Sequence, residues 1–363
     1  MLHEIALTMV KGIGDITIRS LVSYCGSAEE VFSSKKQHLL KIPGIGSKTA
    51  DLIIHHSSFE RAEQELNFIA KYKIEPLFFT SENYPKRLRN CYDAPSMLYF
   101  KGKANLNQQK IISIVGTRNA TAYGKSFCDK LIAGLKSHNL LVASGLAYGI
   151  DVAAHKASIA NDVTTVGVLG HGLDRIYPAI HRPVAEKMLS NGGLLTEFPS
   201  ETNPDRQNFP KRNRIIAGMA DAVIVIEATR KGGALITAEI ANSYNKDVFA
   251  LPGRADDEFS DGCNFLIKTN RALLITKVED LEYIMGWFDN SSQKKNLEPQ
   301  LFLDLNEEDQ KIVKVIQENE SIAIDDLQLK LNMPQSKLAM ALLNLEMQSV
   351  IISLPGKVYR LNH

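Results

Sequence analysis

Short apolar runs alternate with stretches of helical periodicity through the middle of the chain. The runs of strand length are Ile111–Val115, Leu140–Ala143, Thr164–Leu169, Leu194–Leu195, Ala222–Ile226 and Val248–Leu251. A helix is predicted after several of them, for example from about Tyr123 to His138. Such alternation is typical of strands joined by crossover helices. We therefore predict an α/β fold with a parallel sheet, preceded by a lead-in strand between Ile74 and Phe100.

The predicted strands end in loops that are rich in glycine or polar residues. In open parallel sheets, ligands bind at the edge where strands end and where helix N-termini point outward. Gly116, Thr117 and Arg118 offer close backbone approach, a hydroxyl and a guanidinium, which together suit a phosphate. Further hydroxyl and backbone donors are predicted at Ser144, Gly145, Gly232 and Gly233. Neither the Rossmann glycine fingerprint nor the Walker A motif is present, so we expect no nicotinamide dinucleotide site and no P-loop ATP hydrolysis.

Positive charge gathers around a predicted helix start between the fourth and fifth of these runs. The basic residues of this stretch are Arg206, Lys211, Arg212 and Arg214, with no acid among them. Pro210 suits a first helical turn, and the apolar residues from Ile215 give the helix a face to bury. Cations at a helix N-terminus are unfavourable unless an anion joins them, so we predict a phosphate site; a solvated basic face is the alternative. Phe209 is either a platform on which bases stack or a core residue.

Two similar glycine turns lie near the N-terminus, in Val10–Asp15 and Ile42–Lys48. Each places a Gly-x-Gly turn between an apolar segment and a helix start, which resembles the helix-hairpin-helix module that grips a DNA phosphate. Lys41 and Lys48 flank the second turn, whereas Asp15 stands beside the first. DNA contact and a structural or partner-docking role therefore both remain open for this region.

Composition limits the class of protein. The 363 residues suggest two or three domains, and the net charge of +1 means that any polyanion site is a local patch. We find no apolar stretch long enough for a membrane span and no signal peptide, so we expect a cytoplasmic protein. The four cysteines are widely spaced, which indicates neither disulfides nor zinc. We predict no metal and no cofactor.

These patterns predict four segments: a helical domain over residues 1–72, an α/β domain over 73–287, a polar linker over 288–302, and a small domain over 303–363. The last segment contains three predicted helices and a hairpin across Pro355 and Gly356, which is typical of a winged helix. Its third helix carries Lys337 but also Glu346. We therefore favour protein docking or regulation over duplex DNA binding.

Catalytic groups are sparse. Asp151 and His155 lie four residues apart on one predicted helix, and a structural ion pair explains them with fewer assumptions than catalysis does. His171 is the next candidate, with a plain role as a loop donor. Because donors and cations are present without a clear general base, we predict a binding site, no catalytic residue and no enzyme activity.

Several ordered motifs resemble one known family. They are Val115–Arg118, Ser144–Asp151 with Ala154 and His155, Asn208–Ile216, Ala234–Ala238, Leu251–Gly253 and Gly262–Asn264. This set is similar to the DNA-processing protein A family, also called DprA or Smf, over about residues 75–285. The resemblance implies an extended Rossmann-like domain that binds and protects single-stranded DNA, forms homodimers, and loads the recombinase RecA during natural transformation. Single-strand-binding protein or competence factors are further partners that it implies.

By position, the resemblance implies DNA contacts from Gly116, Thr117, Arg118, Ser144, Gly145, Arg206, Phe209, Lys211, Arg212, Asn213 and Arg214. It implies dimer or recombinase contacts near Asn264, Phe265, Ile267 and Leu274. Many members carry a serine where this chain has Ala234. This chain therefore lacks one hydroxyl donor beside Gly232 and Gly233. Two other functions remain open. One is a nucleotide phosphoribohydrolase using Asp151 or Glu227, and the other is a DNA repair scaffold acting through its terminal domains.

Overall fold

The structure is a computed structural model that describes residues 1–287, 306–319, 321–348, 350–354 and 357–361. The chain forms two units, Met1–Trp287 and Phe288–His363. The predicted linker over 288–302 and the turn at Pro355 and Gly356 lie outside the described residues. Among the residues described, no helix is long and apolar enough to cross a membrane.

A sheet of nine strands forms the centre of the first unit, in the order β1-β2-β6-β5-β4-β3-β7-β8-β9. The strands are β1 (Glu75–Phe78), β2 (Met97–Gly102), β3 (Ile111–Gly116), β4 (Leu141–Ser144), β5 (Thr164–Val168), β6 (Gly193–Thr196), β7 (Ala222–Ile226), β8 (Asp247–Ala250) and β9 (Leu273–Leu274). From β6 to β9 every pair is parallel, whereas β1 and β2 are antiparallel additions at one edge. The predicted α/β fold with a parallel sheet is confirmed.

Helices cover both faces of this sheet. The helices of the first unit are α1 (Leu2–Thr8), α2 (Asp15–Cys25), α3 (Ala28–Ser33), α4 (Lys36–Leu39), α5 (Ser47–Ile54), α6 (Ser58–Tyr72), α7 (Lys86–Arg89), α8 (Ala122–Gly134), α9 (Ile150–Ala160), α10 (Arg182–Met188), α11 (Asn208–Met219), α12 (Gly233–Ser243), α13 (Glu258–Lys268) and α14 (Val278–Met285). Alternate residues of β3 show the two layers: Ile111 and Val115 pack towards α11 and α12, while Ile112 and Ile114 pack towards α8 and α9. This is the period of two that a strand buried on both faces requires.

The N-terminal helices share a core with the edge of the sheet. Helices α1, α2, α5 and α6 bury their apolar residues together with Phe78 of β1 and with Met97 and Tyr99 of β2. The first predicted hairpin is part of this junction, because Asp15 accepts a hydrogen bond from Ser96 N at 2.7 Å. The second hairpin stays exposed at Gly44, Gly46 and Lys48. Gly12 and Gly14 of the first turn are exposed as well, so the two turns differ in the contact that Asp15 makes with the sheet edge and not in the exposure of their glycines.

An arginine of α11 crosses the same junction. Arg214 donates to a carboxylate oxygen of Glu197 and to the main-chain oxygen of Asp93, and it lies 3.3 Å from Asp15 Oδ2. Its side chain is 13 % exposed and that of Glu197 is 11 % exposed. Burial raises the pKa of Glu197 to about 7, although the charge of Arg214 opposes this change. This cluster ties the helical domain to the α/β domain.

The second unit has the predicted winged-helix content. Its helices are α15 (Glu307–Glu318), α16 (Ile324–Leu331) and α17 (Gln335–Met347), and its sheet has the order β10 (Ser321–Ala323), β12 (Val358–Leu361), β11 (Ile351–Leu354). The short strand β10 adds to the hairpin that the sequence predicted.

The outer face of α17 is apolar, with Met340, Leu343 and Met347 each more than half exposed. Lys337 is engaged by Glu308 at 2.5 Å.

The pKa of Glu197 predicts a pH dependence of stability. Because its folded-state pKa lies above the ordinary 4.5, its contribution to the free energy of unfolding is complete below about pH 4.5 and is lost as the pH rises to about 7. Relative to Glu197→Gln, the wild type should therefore lose up to about 3 kcal/mol of stability over this window. Urea unfolding at several pH values measures the difference. The exposed Glu186→Gln is the control, and parallel pH profiles for wild type and Glu197→Gln would contradict the prediction.

Candidate nucleic-acid interface

An open cleft runs along the edge where the parallel strands end, with an empty volume of about 1990 Å³. We call it the trough. It lies between the loops that follow β3 and β7 and the N-terminal ends of α11 and α12. Its lining includes Gly116, Thr117, Arg118, Asn119, Asp151, Tyr177, Arg206, Phe209, Arg212, Asn213, Thr229, Lys231, Gly232 and Gly233. Loops from distant parts of the chain therefore meet here, as expected for an open parallel sheet.

The loop after β3 is held in place by Glu227 at the end of β7. Thr117 N donates to Glu227 O at 2.7 Å, and Thr121 donates to the Glu227 carboxylate through both its amide and its hydroxyl. Glu227 is 3 % exposed and has a φ of 52°, in the left-handed region that a residue with a side chain seldom adopts. This arrangement leaves Arg118 exposed at the mouth of the trough.

Arg118 lies over an aromatic ring. Its guanidinium carbon is 5.9 Å from the ring centroid of Phe209, and the rings of Phe209 and Tyr177 are 6.2 Å apart. A smaller cavity of about 480 Å³ opens beside these rings and is also lined by Tyr148 and His171. Cation and aromatic groups are thus combined as single-strand binding requires.

Helix α11 sends its basic residues to two different faces. Phe209, Arg212 and Asn213 face the trough, whereas Lys211 and Arg214 line a groove against the helical domain. This follows from the helical period, since positions three or four apart share a face. The expectation that these cations gather without acidic partners is wrong for Arg214, which pairs with Glu197 and Asp15.

Arg212 is also not a free surface cation. It is 5 % exposed, its Nη1 donates to Val168 O at 2.9 Å, and its Nε has no partner among the described residues. A Cβ on Gly145 would lie 1.9 Å from Arg212 Nη1 and 2.3 Å from Asp151 Oδ2. Gly145 therefore leaves the space in which this guanidinium packs, and Arg212 forms the floor of the trough. Asp151 is buried beside it, and burial raises the pKa of this carboxyl while the charge of Arg212 lowers it.

The predicted ion pair of Asp151 with His155 is wrong. His155 is fully buried and contacts Gly145 O at 2.5 Å and Thr165 Oγ1 at 2.7 Å through its two ring nitrogens. Burial lowers its pKa to about 4, so the ring is neutral near pH 7. The Gly145 carbonyl of the β4 loop takes the place that the sequence assigned to the carboxylate.

Two other predicted loop donors are occupied within the protein. Ser144 is buried, and its hydroxyl donates to Ile114 O at 2.6 Å. His171 contacts Gly172 O through Nδ1 and accepts from Tyr177 N through Nε2 at 3.3 Å, and burial lowers its pKa. His171 therefore supports the loop that carries Tyr177.

The start of α12 forms the opposite wall of the trough. Gly232 and Gly233 lie there, and Asn213 Nδ2 donates to Gly233 O at 3.4 Å. Sequence reasoning missed the neighbouring Lys231, which is exposed. A basic residue in the loop after a predicted strand was the available signal. No salt bridge within the described residues involves Arg118, Arg206 or Lys231.

The residues predicted for dimer or recombinase contact lie at the far edge of the sheet. Asn264 holds the loop after β8 through Gly253, at 3.1 Å to its nitrogen and 3.0 Å to its oxygen. Phe265 is flanked by the guanidinium of Arg230 at 4.9 Å. Ile267 is half-buried, and Leu274 in the edge strand is 47 % exposed. Their role in contact with another chain stays a prediction.

The described residues contain no group of three or more histidine, cysteine or acidic side chains that could hold a metal ion. The lining of the trough offers hydroxyl and guanidinium groups, from Thr117, Arg118 and Arg206. These are the groups that the resemblance to a DNA-processing family requires at this edge of the sheet.

Comparison with known proteins supports that resemblance. A family model described as DNA recombination-mediator protein A matches residues 75–285. A SAM-like helix-hairpin-helix tandem matches residues 4–56, and a DprA winged helix domain matches residues 298–357. The predicted fold class, including both terminal domains, is thereby confirmed.

Curated relatives and solved structures agree with the family model. Protein Smf of Synechocystis sp. is 34 % identical over 287 residues, covering 76 % of this chain and 70 % of the relative. The DNA processing protein DprA of Streptococcus pneumoniae is 40 % identical over 198 residues, covering 54 % of this chain and 70 % of the relative. Its X-ray structure covers 80 % of this chain and 98 % of its own, with a TM-score of 0.68 and 31 % identity.

A second solved structure is the DNA processing protein A of Helicobacter pylori, described for its single-stranded DNA binding mode. It covers 60 % of this chain and 98 % of its own, with a TM-score of 0.55 and 29 % identity. The family match spans more than half of the 363 residues and includes every strand of the central sheet. The chain therefore belongs to the family of DNA recombination-mediator protein A, whose members include the proteins named DprA and Smf.

Proposed function

We propose that the trough binds single-stranded DNA and that the protein acts as a recombination mediator. The observation that carries this proposal is the exposed Arg118 guanidinium over the Phe209 ring, at the edge where the parallel strands end. The phosphate backbone would follow Arg118, Arg206 and Lys231, while bases stack on Phe209. The single-stranded DNA binding described for the Helicobacter pylori relative supports the same ligand class.

The finer parts of this function rest on family membership. They are protection of incoming strands, loading of RecA recombinase during natural transformation, and action as a homodimer. The exposed edge strand β9 and the neighbouring Phe265 are the surface that we propose for the contact with a second copy or with the recombinase. Single-strand-binding protein and competence factors are further proposed partners.

We propose a binding role without catalysis for the same site. Asp151 reaches the trough lining but is buried beside Arg212, and the Glu227 carboxylate accepts hydrogen bonds from the amide and the hydroxyl of Thr121. Neither carboxylate is free to act on a glycosidic bond in this arrangement. These contacts count against the phosphoribohydrolase alternative, which needs a carboxylate within reach of the substrate.

Removing the Arg118 guanidinium should weaken single-stranded DNA binding for all sequences alike. Arg118→Ala should raise the Kd about tenfold, because a charge-assisted contact to phosphate is lost. The slope of log K against log salt, about −0.7 per phosphate for single strands, should become shallower by about 1. Fluorescence anisotropy with labelled oligonucleotides at several salt concentrations measures both quantities.

Lys130→Ala is the matched control for that experiment, since it removes the same charge from an exposed position of α8. It should leave the Kd and the salt slope near the wild-type values. An equal effect of both substitutions would mean that only net charge matters, and it would count against a defined site at Arg118. Competition with duplex DNA and with mononucleotides then tests whether the trough prefers unpaired strands.

Purified protein should release no free base from nucleoside 5′-monophosphates. The reason is the enclosure of Asp151 and the engagement of Glu227, which leave no carboxylate free to attack or to take a proton. Chromatography of the reaction products measures release directly. Release that disappears in Asp151→Asn would overturn the proposed binding role and favour the hydrolase.

A further inference from the structure

The loop between β6 and α11 carries one of the proposed DNA contacts, Arg206. It runs over residues 197–207 without regular secondary structure, and it leads into Phe209 in the first turn of α11. Pro204 and Arg206 of this loop line the trough. Because Arg206 is exposed and makes no salt bridge within the described residues, its position depends on how the loop backbone is held.

One buried residue of this loop is held by the helical domain. Ser200 is 8 % exposed. Its amide donates to both carboxylate oxygens of Glu65 at 2.9 and 3.1 Å, and its hydroxyl donates to Glu65 Oε2 at 2.5 Å. Arg61 donates to Ser200 O at 2.7 Å and to its hydroxyl at 3.0 Å. Every polar group of Ser200 is therefore bonded to helix α6.

The two residues on α6 are unusual for a helical domain with an apolar core. Glu65 is 1 % exposed and pairs with Arg61 at 2.9 Å, one helical turn away. A buried carboxylate is costly unless charge and hydrogen bonds compensate for it. Here the compensation comes from Arg61 and from Ser200, which is 135 residues distant in the chain. The Arg61–Glu65 pair therefore stabilises the contact with the loop, and it is not needed for the packing of α6 itself.

Hydrogen bonds continue from Ser200 towards the trough. Thr202 donates to Pro199 O at 2.8 Å through its hydroxyl. Asn208 then binds the loop twice, through its side chain to Asn203 O at 3.1 Å and through its amide to Asp205 O at 2.9 Å. The segment that ends beside Phe209 is thus tied to α6 at Ser200. The loop after β5 holds it as well, because Glu201 N donates to Asp174 Oδ1 at 2.9 Å and Gly172 N donates to Thr202 O at 3.2 Å.

We propose that Arg61 and Glu65 are positioning residues for DNA binding, acting through Ser200 on Arg206. This inference rests on the proposed function of the trough. It assigns to the helical domain a role that needs no contact between its hairpins and DNA.

A double-mutant cycle in the full-length chain tests the proposal. Glu65→Ala should raise the Kd for single-stranded DNA about fivefold to tenfold, and Arg206→Ala should have a similar effect. Glu65 acts through the loop that carries Arg206. The Kd of the double variant should therefore exceed the Kd of Arg206→Ala by no more than about twofold. Independent effects would instead multiply. The salt slope should become shallower by about 1 in Glu65→Ala, as in Arg206→Ala.

Two further variants keep the test decisive. Ser200→Ala removes only the hydroxyl, so it preserves the fold if Glu65→Ala does not, and it should weaken binding about threefold in the wild type but not in Arg206→Ala. Glu65→Gln keeps an acceptor for the Ser200 amide and should recover part of the affinity. Glu63→Ala, an exposed substitution on the same helix, should bind like the wild type.

The outcomes separate this inference from the proposed function. No single-strand binding by the wild type, or no effect of Arg118→Ala, would count against the function itself. Wild-type affinity in Glu65→Ala and Ser200→Ala, or effects that multiply with Arg206→Ala, would overturn the positioning role alone. An unchanged Kd in Arg206→Ala would also overturn it, because the loop would then make no contact for Glu65 to position.

Discussion

The buried guanidinium of Arg212 is the interaction on which the trough depends. It forms the floor of the trough, donates to the end of β5 at Val168 O, and packs where Gly145 has no side chain. A buried cation is stable only with compensating groups, and here they are a carbonyl and the nearby Asp151. Val168 ends β5, Asp151 lies in α9 and Gly145 follows β4, so the guanidinium, which comes from α11, holds these segments in register. The positions of the exposed residues of the trough depend on that arrangement.

The sequence predicted the location of the site better than the role of each residue in it. Strand-length apolar runs and glycine loops identified the sheet edge, because both are local features of the chain. The fate of Arg214 was not predictable in this way. Its partner Asp15 is 199 residues away, and a stretch without acids indicates nothing about acids from other domains. The predicted ion pair of Asp151 with His155 was wrong for a related reason. The i, i+4 spacing allows that pair, but His155 contacts the main-chain oxygen of Gly145, which follows the neighbouring strand β4.

The architecture of the sheet shows the same limit. The parallel strands β3 to β8 followed from their alternation with helices, but the antiparallel pairing of β1 and β2 next to β6 did not. Strand order depends on contacts between distant segments, and short runs such as Met97–Gly102 carry no information about their neighbours. The helical domain is similar: two nearly identical glycine turns predict the same local geometry, and both are exposed, yet the first also bonds to the sheet edge through Asp15.

The division of positive charge explains how a chain with a net charge of +1 can present a site for a polyanion. Arg212 and Arg214 serve packing and the junction with the helical domain, so their charge is compensated within the protein. Arg118, Arg206 and Lys231 remain exposed around the trough. If the proposed site binds single strands, counterion release to so few exposed cations would provide only part of the binding free energy, and stacking on Phe209 would have to provide the rest. Affinity in such a site depends on the accurate placement of a few groups, which is why the supporting contacts beneath and beside the trough are as extensive as the site itself.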